Sequence, residues 1–346
     1  MNLAMFLPNW VGDVVMATPA IRAVRQHFTD ARFVAVARPY VADVLRGSPW
    51  FDRVILCDKH VLPVARELRR EKLDAAILFP NSFRSAMMAY LGRCRRRIGF
   101  ARYGRSLLLT DRIAPKTNES GRIVPSPVID EYNRLVVPLG VNDPGYRQEL
   151  FTTPEDESAA DSVWESAKLN GCEVIGLNPG AAFGAAKFWP VPHFVRLAQM
   201  LTDRRGSRIV VLCGPSEREL AKQIVREAKR ATVTSIADNP LSLGLTKAIV
   251  KRLDLLVTTD SGPRHFAAAF DRPVVTLYGP THIAWTETYF AKAIHLQKAV
   301  PCGPCQLRTC PLDHRCMRDL LPDDVFDAST QLLIRYPSTI RGRYAG

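Results

Sequence analysis

Short apolar segments alternate with segments of helical spacing along most of the chain, and this alternation restricts its fold more than any other feature. Strands are predicted at 3–7, 32–37, 53–57, 75–79, 173–177, 208–213, 253–257 and 272–277. Helices are predicted at 14–28, 61–71, 127–139, 191–204, 218–229, 241–252 and 323–334, the first of them kinked or restarted at Pro19. Alternation of this kind is typical of parallel sheets covered by helices on both faces.

The length of the chain and a break in the pattern predict two such domains. The 346 residues exceed one usual hydrophobic core. Residues 143–156 contain two prolines and a glycine between two patterned regions, which indicates a linker. We therefore expect an α/β protein with one doubly wound domain at 1–150, a second at 151–330, and a tail at 331–346. Residues 84–126 are expected to be rich in loops.

Composition and charge predict a soluble protein with an acidic partner. An apolar content of 47% and a charged content of 23% are typical of soluble globular proteins. The chain start lacks the pattern of a signal peptide, and no later segment has the roughly 20 apolar residues of a membrane span, so a cytoplasmic location is expected. The formal net charge is +13. Residues 84–122 include ten basic residues and only two acidic ones, which predicts a surface that binds anions. The ten are Arg84, Arg93, Arg95, Arg96, Arg97, Arg102, Arg105, Arg112, Lys116 and Arg122.

The stretch 253–269 reads as a buried strand, a polar turn and the start of a helix. Pro263 suits the first helical position, where its missing N–H is not needed, and either of the two residues before it can cap the helix. A helix that starts at the carboxyl end of a parallel strand points free N–H groups toward a ligand, which suits a phosphate. Asp260 and His265 would flank that phosphate. The alternative is an ordinary strand-to-helix turn whose polar residues only cap.

Two further loops of the second half are expected at the same edge of the sheet. The loop from Gly180 to Lys187 is rich in Gly and Ala, so that backbone can approach a ligand, and Lys187 offers a point charge to a diphosphate. Glu217 can accept hydrogen bonds from ribose hydroxyls, or it merely favours a helix N-terminus. For the loop from Gly180 to Lys187, the alternative is a plain surface loop with a surface lysine. Neither G-x-G-x-x-G nor G-x-x-x-x-G-K-[ST] occurs, which disfavours dinucleotide oxidoreductases and P-loop ATPases.

In the first half, Asp13 follows the first predicted strand in a turn that contains glycine. A carboxylate in this place can act as a general base that takes a proton from an attacking hydroxyl. It can equally be the N-cap of the helix predicted from Val14. Spacing alone leaves both interpretations open.

Four of the eight cysteines cluster at Cys302, Cys305, Cys310 and Cys316, close to His314. One C-x-x-C pair is typical of zinc sites, but the second spacing is irregular. The cluster is therefore either a structural tetrathiolate site or a loop of reduced thiols packed by prolines, since disulfides are disfavoured in the cytosol. Neither interpretation gives it a catalytic part. The other four cysteines are expected to be buried small hydrophobes.

Several motifs together resemble glycosyltransferase family 9 over about 1–333. They are Asn9-Trp10-Val11-Gly12-Asp13, Ala17-Thr18-Pro19-Ala20, Asn178-Pro179-Gly180-Ala181, Lys187-Phe188-Trp189-Pro190, Asp260-Ser261-Gly262 with His265, and Cys302-Gly303-Pro304-Cys305 with Thr309-Cys310-Pro311. The resemblance implies a GT-B fold, two doubly wound Rossmann-like domains facing across a cleft. It implies an acceptor domain first, an ADP-sugar domain second, and a terminal helix that returns to the first.

The resemblance also implies an activity, the inverting transfer of L-glycero-D-manno-heptose from ADP-heptose to a heptose of the inner lipopolysaccharide core. The acceptor would be a lipid A–core molecule at the inner face of the inner membrane. No cofactor is implied, and no metal is needed if protein cations stabilise the departing ADP. No nucleic acid and no stable protein partner is implied. The alternatives are a family member with another sugar or acceptor, and a non-catalytic nucleic-acid-binding protein, which the charge suggests but which leaves Asp13 unexplained.

Site residues follow from the same resemblance. Asp13 is implied as the general base, and the implied donor contacts are Gly180, Lys187, Glu217, Asp260, Ser261, Gly262 and His265. The motifs convey the acceptor side less closely. It is expected to comprise Asn9 and Trp10 together with four arginines chosen for their charge, which suits acidic core sugars and lipid phosphates: Arg84, Arg95, Arg96 and Arg97. The chain departs from the family at Ala182 and Phe183, where hydroxyl residues are frequent, and at Arg264, where apolar residues are frequent. Arg264 either adds a phosphate contact or is exposed.

Overall fold

The computed structural model describes residues 1–119, 121 and 123–337, and the chain divides into two compact units. The first unit comprises Met1–Phe151 together with Ala284–Tyr289. The second comprises Thr152–Ile283 and the chain from Phe290 onward. The short segment Ala284–Tyr289 is contributed to the first unit from the second half of the chain, a feature that the sequence pattern did not predict.

The first unit is a six-stranded parallel sheet with helices between its strands. Its elements are β1 (Asn2–Phe6), α1 (Val11–His27), β2 (Arg32–Ala37), α2 (Pro39–Ala42), β3 (Arg53–Leu56), α3 (Val61–Glu71), β4 (Ala75–Leu78), α4 (Phe83–Leu91), β5 (Arg96–Phe100), β6 (Asp111–Ile113) and α5 (Val128–Arg134). The strand order is β3-β2-β1-β4-β5-β6, and every neighbouring pair is parallel. The order reverses between β1 and β4, which is where doubly wound sheets bind ligands at their carboxyl edge.

The second unit repeats this topology. Its elements are α6 (Pro154–Ser166), β7 (Val174–Asn178), α7 (Val191–Arg205), β8 (Arg208–Val211), α8 (Arg218–Ala228), β9 (Val233–Ser235), α9 (Leu243–Arg252), β10 (Leu255–Thr259), α10 (Gly262–Ala269), β11 (Val274–Tyr278), α11 (Ile283–Thr286, which leads into the first unit), β12 (Ala293–Gln297), α12 (Arg315–Arg318) and α13 (Pro322–Arg335). The strand order is β12-β11-β10-β7-β8-β9, again all parallel. The switch point of this sheet lies between β7 and β10.

The central strands are buried because helices cover both faces of each sheet. All five residues of β7, β10 and β11 are buried, and so are four of the five residues of β1. Helix α13 packs on α7 and on strands β10 to β12, within the second unit. Residues 338–346 of the predicted returning tail lie outside the described residues. No helix in the described part of the chain is long and apolar enough to cross a membrane.

The segment 84–126, which was expected to be rich in loops, also contains most of α4 and all of β5 and β6. Ser82 starts α4 by accepting a hydrogen bond from the backbone N–H of Ser85 at 3.1 Å. Strand β5 tolerates its arginines because internal acceptors satisfy them, as in the 2.6 Å ion pair between Arg96 and Asp111. The density of arginines had hidden a strand pattern that ends in Ile98-Gly99-Phe100. Arg122, counted with the basic residues, lies outside the described residues.

Helix α1 is longer and more continuous than predicted. It begins at Val11 instead of Val14 and runs through Pro19 without a restart. Proline lacks the N–H that would bond the carbonyl four residues earlier, that of Val15. The Thr18 hydroxyl replaces that donor, because its Oγ1 lies 2.7 Å from the Val15 carbonyl oxygen. Of the two alternatives for Pro19, a kink and a restart, the restart is therefore wrong for a local reason, a hydroxyl in the preceding position.

Other elements were missed or misjudged in length. Helix α6 was taken as part of the linker and of an unpatterned region, and strands β9 and β12 were not predicted. The helix expected at 127–139 is α5 followed by a short 3-10 turn at Val137–Leu139. By contrast, β2 and α3 have the predicted bounds.

Candidate functional site

Asn178, the last residue of β7, links the two central strands of the second sheet at their carboxyl ends. Its amide nitrogen donates to the hydroxyls of Thr258 and Ser261, both at 3.0 Å. The same nitrogen lies 3.3 Å from the Gly180 carbonyl oxygen, which also accepts from the Thr259 hydroxyl at 2.6 Å. These bonds fasten the loop after β7 to the turn before α10, so that Gly180 and Ser261 meet at the switch point.

Asp260 lies buried between two cations at this point. The ammonium of Lys187 is 2.5 Å from Asp260 Oδ2 and 2.8 Å from the Asp260 carbonyl oxygen. The Thr281 hydroxyl donates to the same Oδ2 at 2.7 Å, and Arg264 Nη1 lies 3.6 Å from Oδ1. The side chains of Lys187, Asp260 and Arg264 are only 9%, 4% and 3% exposed. We call these three residues the charge cluster, and its formal charges leave one net positive charge in a buried place.

Burial alone would raise the pKa of Asp260, but Lys187 and Arg264 together hold that pKa below its ordinary value, with help from the Lys187 and Thr281 hydrogen bonds. Asp260 is therefore ionised at neutral pH. Arg264 reaches beyond this carboxylate to the other strands. Its Nη1 donates to the Tyr278 hydroxyl at 2.5 Å, and its Nη2 lies 3.4 Å from His295 Nε2. The two alternatives for Arg264 were a phosphate contact and exposure, and exposure is wrong.

Helix α10 begins beside the charge cluster. Ser261 occupies its N-cap position, Gly262 is the first helical residue and Pro263 the second, one place later than predicted. Pro263 has no N–H and the Arg264 N–H donates to the Ser261 carbonyl at 3.3 Å, so the Gly262 N–H and the helix dipole are what make this end of α10 suit an anion. His265, one turn along, is buried. Burial, followed by the charge of Arg264, lowers the pKa of His265 well below its ordinary value, so the ring is neutral at pH 7.

Glu217 reaches from the loop after β8 to the loop after β7. It ends the 3-10 turn Pro215–Glu217, and its Oε2 accepts from the Gly214 backbone N–H at 2.8 Å. A Cβ at Gly180 would collide with this carboxylate. A Cβ at position 180 would have to push this carboxylate aside, and the structure thus brings Gly180 and Glu217 together.

The cysteine cluster lies in the loop at residues 300–316. Backbone hydrogen bonds join this loop to the turn that carries Lys187 and to the turn that precedes Thr281. The Ala186 N–H donates to the Arg308 carbonyl at 3.0 Å, and the Gln306 N–H donates to the Pro280 carbonyl at 2.8 Å. Gly184, at a φ of +154°, has no room for a Cβ beside Arg308. We call this pair of backbone bonds the brace, because it connects the turn that carries Lys187 with the turn that precedes Thr281.

The four clustered cysteines are all free thiols. Cys302 and Cys305 are exposed, Cys310 is half-buried and Cys316 is buried. Burial raises the pKa of the Cys316 thiol, and the nearby thiols raise it further. Within the described residues, no three His, Cys, Asp or Glu side chains are grouped so that they could hold a metal ion. His314 lies 2.8 Å from the Ala186 carbonyl oxygen through its Nε2.

In the first unit, Asp13 is the third residue of α1, at the carboxyl edge of the sheet just after β1. Trp10 occupies the N-cap position, so the interpretation of Asp13 as the N-cap of a helix from Val14 is wrong. The half-buried Asp13 lies near the buried phenol of Tyr132. Burial, and then the charge of Asp13, raise the pKa of that phenol well above its ordinary value.

A cavity of about 610 Å³ lies at the same edge of the first sheet. It opens at the switch point, because residues that follow β1 and β4 line it together with residues that follow β2 and β3. Asn9 and Arg84 are both in its wall, and Arg38 and Asp58 add further charge. Trp10, next to Asn9, is half-exposed at 46%. The structure thus brings Asn9 and Arg84 to one pocket.

Arg95, Arg96 and Arg97 lie elsewhere. They precede or begin β5, so they are at the amino edge of the sheet, opposite the cavity. Arg96 pairs with Asp111, and Arg97 donates to the Leu108 carbonyl at 2.6 Å. They do not join Asn9 and Arg84 at one site.

Arg105 also departs from the predicted basic surface, because its side chain is fully buried. It donates to the Asn81 side chain at 2.8 Å and to the Pro80 carbonyl, and it therefore shapes the cavity wall from behind.

Sequence reasoning missed several residues of the charged site. Thr281 carried a usable signal, because it follows a predicted strand in Gly279-Pro280-Thr281, as Asp260 follows another. Asn178 stood in a quoted motif without a role. Tyr278 carried no signal, because a buried tyrosine at the end of a strand reads as core.

The glycosyltransferase family 9 (heptosyltransferase) model matches residues 61–315. Lipooligosaccharide heptosyltransferase 2 of Campylobacter jejuni is 28% identical over 344 residues, which cover 96% of this chain and 98% of that protein. The solved structure of a family 9 glycosyltransferase from Veillonella parvula has a TM-score of 0.82 at 22% identity, covering 96% and 97% of the two chains. That of E. coli ADP-heptose lipopolysaccharide heptosyltransferase II has a TM-score of 0.78 at 24% identity, covering 98% and 100%. These structures confirm the GT-B fold, and since the family model matches well over half of the sequence, this chain belongs to glycosyltransferase family 9 (heptosyltransferase).

Proposed function

We propose that this glycosyltransferase moves L-glycero-D-manno-heptose from ADP-heptose to a heptose of the inner lipopolysaccharide core. Family membership makes the chain a heptosyl-type glycosyltransferase of lipopolysaccharide core biosynthesis. The proposal adds the sugar nucleotide, the acceptor and the role of each residue. The observation that carries it is the buried charge cluster with one net positive charge beside the start of α10.

The second unit is proposed to hold the donor. Lys187 and the Gly262 N–H at the start of α10 would receive the diphosphate, because a cation and a helix N-terminus both favour anions. Three residues border the same place: Ser261, Gly262 and His265. The His265 ring is neutral and therefore contributes no charge to the site. Glu217 and Gly180 would receive the ribose, since a carboxylate accepts from hydroxyl groups and a glycine lets them approach.

Asp13 is proposed as the general base of a single displacement. Ionised Asp13 takes the proton of the acceptor hydroxyl while that oxygen attacks the anomeric carbon of the donor heptose. The bond between the anomeric carbon and the ADP phosphate oxygen breaks in the same step, so the configuration inverts. Lys187 and the Gly262 N–H at the start of α10 stabilise the negative charge that grows on the departing ADP.

The cavity of the first unit is proposed to bind the acceptor, with Asn9, Trp10 and Arg84 in contact with core sugars and their phosphates. A lipid-linked acceptor would place the enzyme at the inner face of the inner membrane, as a cytoplasmic peripheral protein. The alternative is a family member with another acceptor or sugar. A core acceptor that ends in one heptose should be glycosylated, whereas transfer only to an acceptor without heptose would support the alternative.

The test is the activity of Asp13→Asn measured beside its affinity for ADP-heptose. Loss of the base should lower turnover at least about 100-fold, while donor affinity stays within about twofold because the proposed donor contacts are unchanged. Asp30→Asn, at an exposed turn of the same unit, is the matched control and should keep full turnover. Unchanged turnover in Asp13→Asn would remove the proposed base.

A further inference from the structure

We propose that the outer surface of α3, α4 and the turn Arg105–Leu108 docks on an anionic lipid bilayer. These elements form one surface, because α4 packs on both α3 and the turn. We call it the α3–α4 face. It lies entirely within the first unit. The proposal rests on the proposed function in one respect, which is that a lipid-linked acceptor brings the enzyme to a membrane.

Large apolar side chains project from the α3–α4 face without cover. Leu107 is 86% exposed, Tyr103 70%, and Leu62 58%, and Tyr90 and Phe83 are about half exposed. Single exposed apolar residues are common in soluble proteins, whereas these five lie on or beside elements that pack on one another. Leu62 is on α3, and Phe83 and Tyr90 are on α4. Leu107 lies in the turn Arg105–Leu108, and Tyr103 precedes that turn. An arrangement of aromatic and aliphatic tips suits insertion at the headgroup boundary of a bilayer.

Arginines that form no ion pair lie on the same elements, and one of them, Arg69, donates to the Leu91 carbonyl at 2.6 Å. Arg66, Arg69 and Arg70 are exposed along α3, and Arg84 and Arg93 are exposed at α4 and just after it. Among the described residues, none of the five forms an ion pair. The acidic residues of α3 are already neutralised, because Arg53 pairs with both Glu67 and Glu71. The face is therefore strongly positive, which complements anionic phospholipid headgroups.

The same charge would also attract nucleic acid, but the apolar residues favour a bilayer. Aliphatic side chains such as Leu62 and Leu107 gain nothing from a phosphate backbone and do not stack on bases as aromatic rings do. At a bilayer they leave water for the acyl boundary, while nearby arginines keep their charges at the headgroups. Basic and apolar residues interleaved on one face are thus better matched to lipid than to RNA or DNA.

The test is sedimentation of the full chain with vesicles. Vesicles of equimolar phosphatidylcholine and phosphatidylglycerol should bind the protein, and vesicles of phosphatidylcholine alone should not. The triple variant Arg66→Gln, Arg69→Gln, Arg70→Gln should bind the anionic vesicles about 100-fold more weakly, since each arginine near a charged membrane contributes about fivefold. Leu62→Ser with Leu107→Ser should weaken binding about tenfold even at high salt, because their contribution is not electrostatic.

The matched control is the triple variant Arg196→Gln, Arg204→Gln, Arg226→Gln. It removes the same charge from exposed positions on α7 and α8 of the second unit, and it should bind vesicles as the unsubstituted protein does. Equal loss in both triple variants would overturn the proposal, because net charge and not the α3–α4 face would then govern binding. Tighter binding of single-stranded RNA than of vesicles, lost in the α3 variant, would also overturn it.

Catalysis on a delipidated core acceptor separates this proposal from the proposed function. The α3 triple variant should glycosylate the delipidated acceptor at the normal rate, because its substitutions lie outside the cavity and the charge cluster. Its rate on acceptor embedded in anionic vesicles should fall with its vesicle affinity. If the unsubstituted enzyme transfers no heptose to any acceptor, the proposed function fails, while the vesicle measurements still decide the docking surface.

Discussion

Replacing Arg264 with methionine should lower both the stability of the second unit and its affinity for phosphates. At 3.6 Å from Asp260, and with an effective dielectric constant of about 20, the guanidinium gains about 5 kcal/mol. The cost of removing the two charges from water offsets several kcal/mol of that gain. The Tyr278 hydroxyl would also lose a donor at 2.5 Å, which costs about 1 kcal/mol. Since Asp260 keeps Lys187 and Thr281, we expect the free energy of unfolding to fall by about 2–3 kcal/mol.

The same substitution removes the net positive charge of the charge cluster. Lys187 and Arg264 contact one carboxylate and therefore lie within about 8 Å of each other. A phosphate bound at Lys187 would then lie on the order of 8 Å from the Arg264 guanidinium. At that distance the guanidinium contributes about 1 kcal/mol for each phosphate charge when the effective dielectric constant is about 40. ADP affinity should therefore fall at least about tenfold, or about 1.4 kcal/mol. Adenosine affinity should change little, because adenosine carries no charge.

Isothermal titration with ADP and with adenosine, together with urea unfolding of the second unit, measures both effects. Arg264→Lys keeps the charge but not the planar fork, so it should restore the ratio of ADP to adenosine affinity while recovering only part of the stability. Arg204→Met, at an exposed position of the same unit, controls for net charge. If ADP and adenosine affinities fall by one common factor in Arg264→Met, the residue maintains the shape of the site and the electrostatic argument is refuted.

Two further predictions concern residues beside the charge cluster. The pKa of His265 lies below its unfolded value near 6.5, so the unfolded chain takes up the proton first, and stability is complete above about pH 6.5 and declines below it by up to about 1.4 kcal/mol per pH unit. His265→Gln should flatten this decline below about pH 6.5 in urea unfolding, and an unchanged slope would assign the decline to other groups. Gly180→Ala should push the Glu217 carboxylate aside and weaken ADP binding about tenfold. In a Glu217→Ala background the same substitution should cost little, and a full additional loss there would show that the collision is not with Glu217.

The sequence predicted the architecture well where one local signal dominated. Strand β2 and helix α3 have the predicted bounds because each carries a clean apolar period bounded by breakers. Prediction failed where a second interaction overrode the local signal. The arginines of β5 looked like a solvated loop until Asp111 and backbone carbonyls satisfied them. Pro19 looked like a break until Thr18 supplied the missing donor.

Site residues followed the same division. The loops at the carboxyl ends of β7, β8 and β10 could be found from sequence, because parallel strands bring such loops to one edge. The direction of the Arg264 side chain could not be found from sequence. It depends on where two residues of other strands lie, Tyr278 on β11 and His295 on β12. The cavity of the first unit was equally invisible, because four separate strand ends form its wall.

The brace has a consequence for how this chain tolerates mutation. Both of its bonds join main-chain atoms, Ala186 to Arg308 and Gln306 to Pro280. Replacing the side chain of Gln306 or Arg308 removes neither bond, because every residue except proline carries the same N–H and every residue carries the same carbonyl. Substitutions of the exposed side chains of Gln306 and Arg308 should thus leave the ammonium of Lys187 in its place. A deletion, proline at position 306 or 186, or a side chain at position 184 that displaces the Arg308 carbonyl, would loosen it.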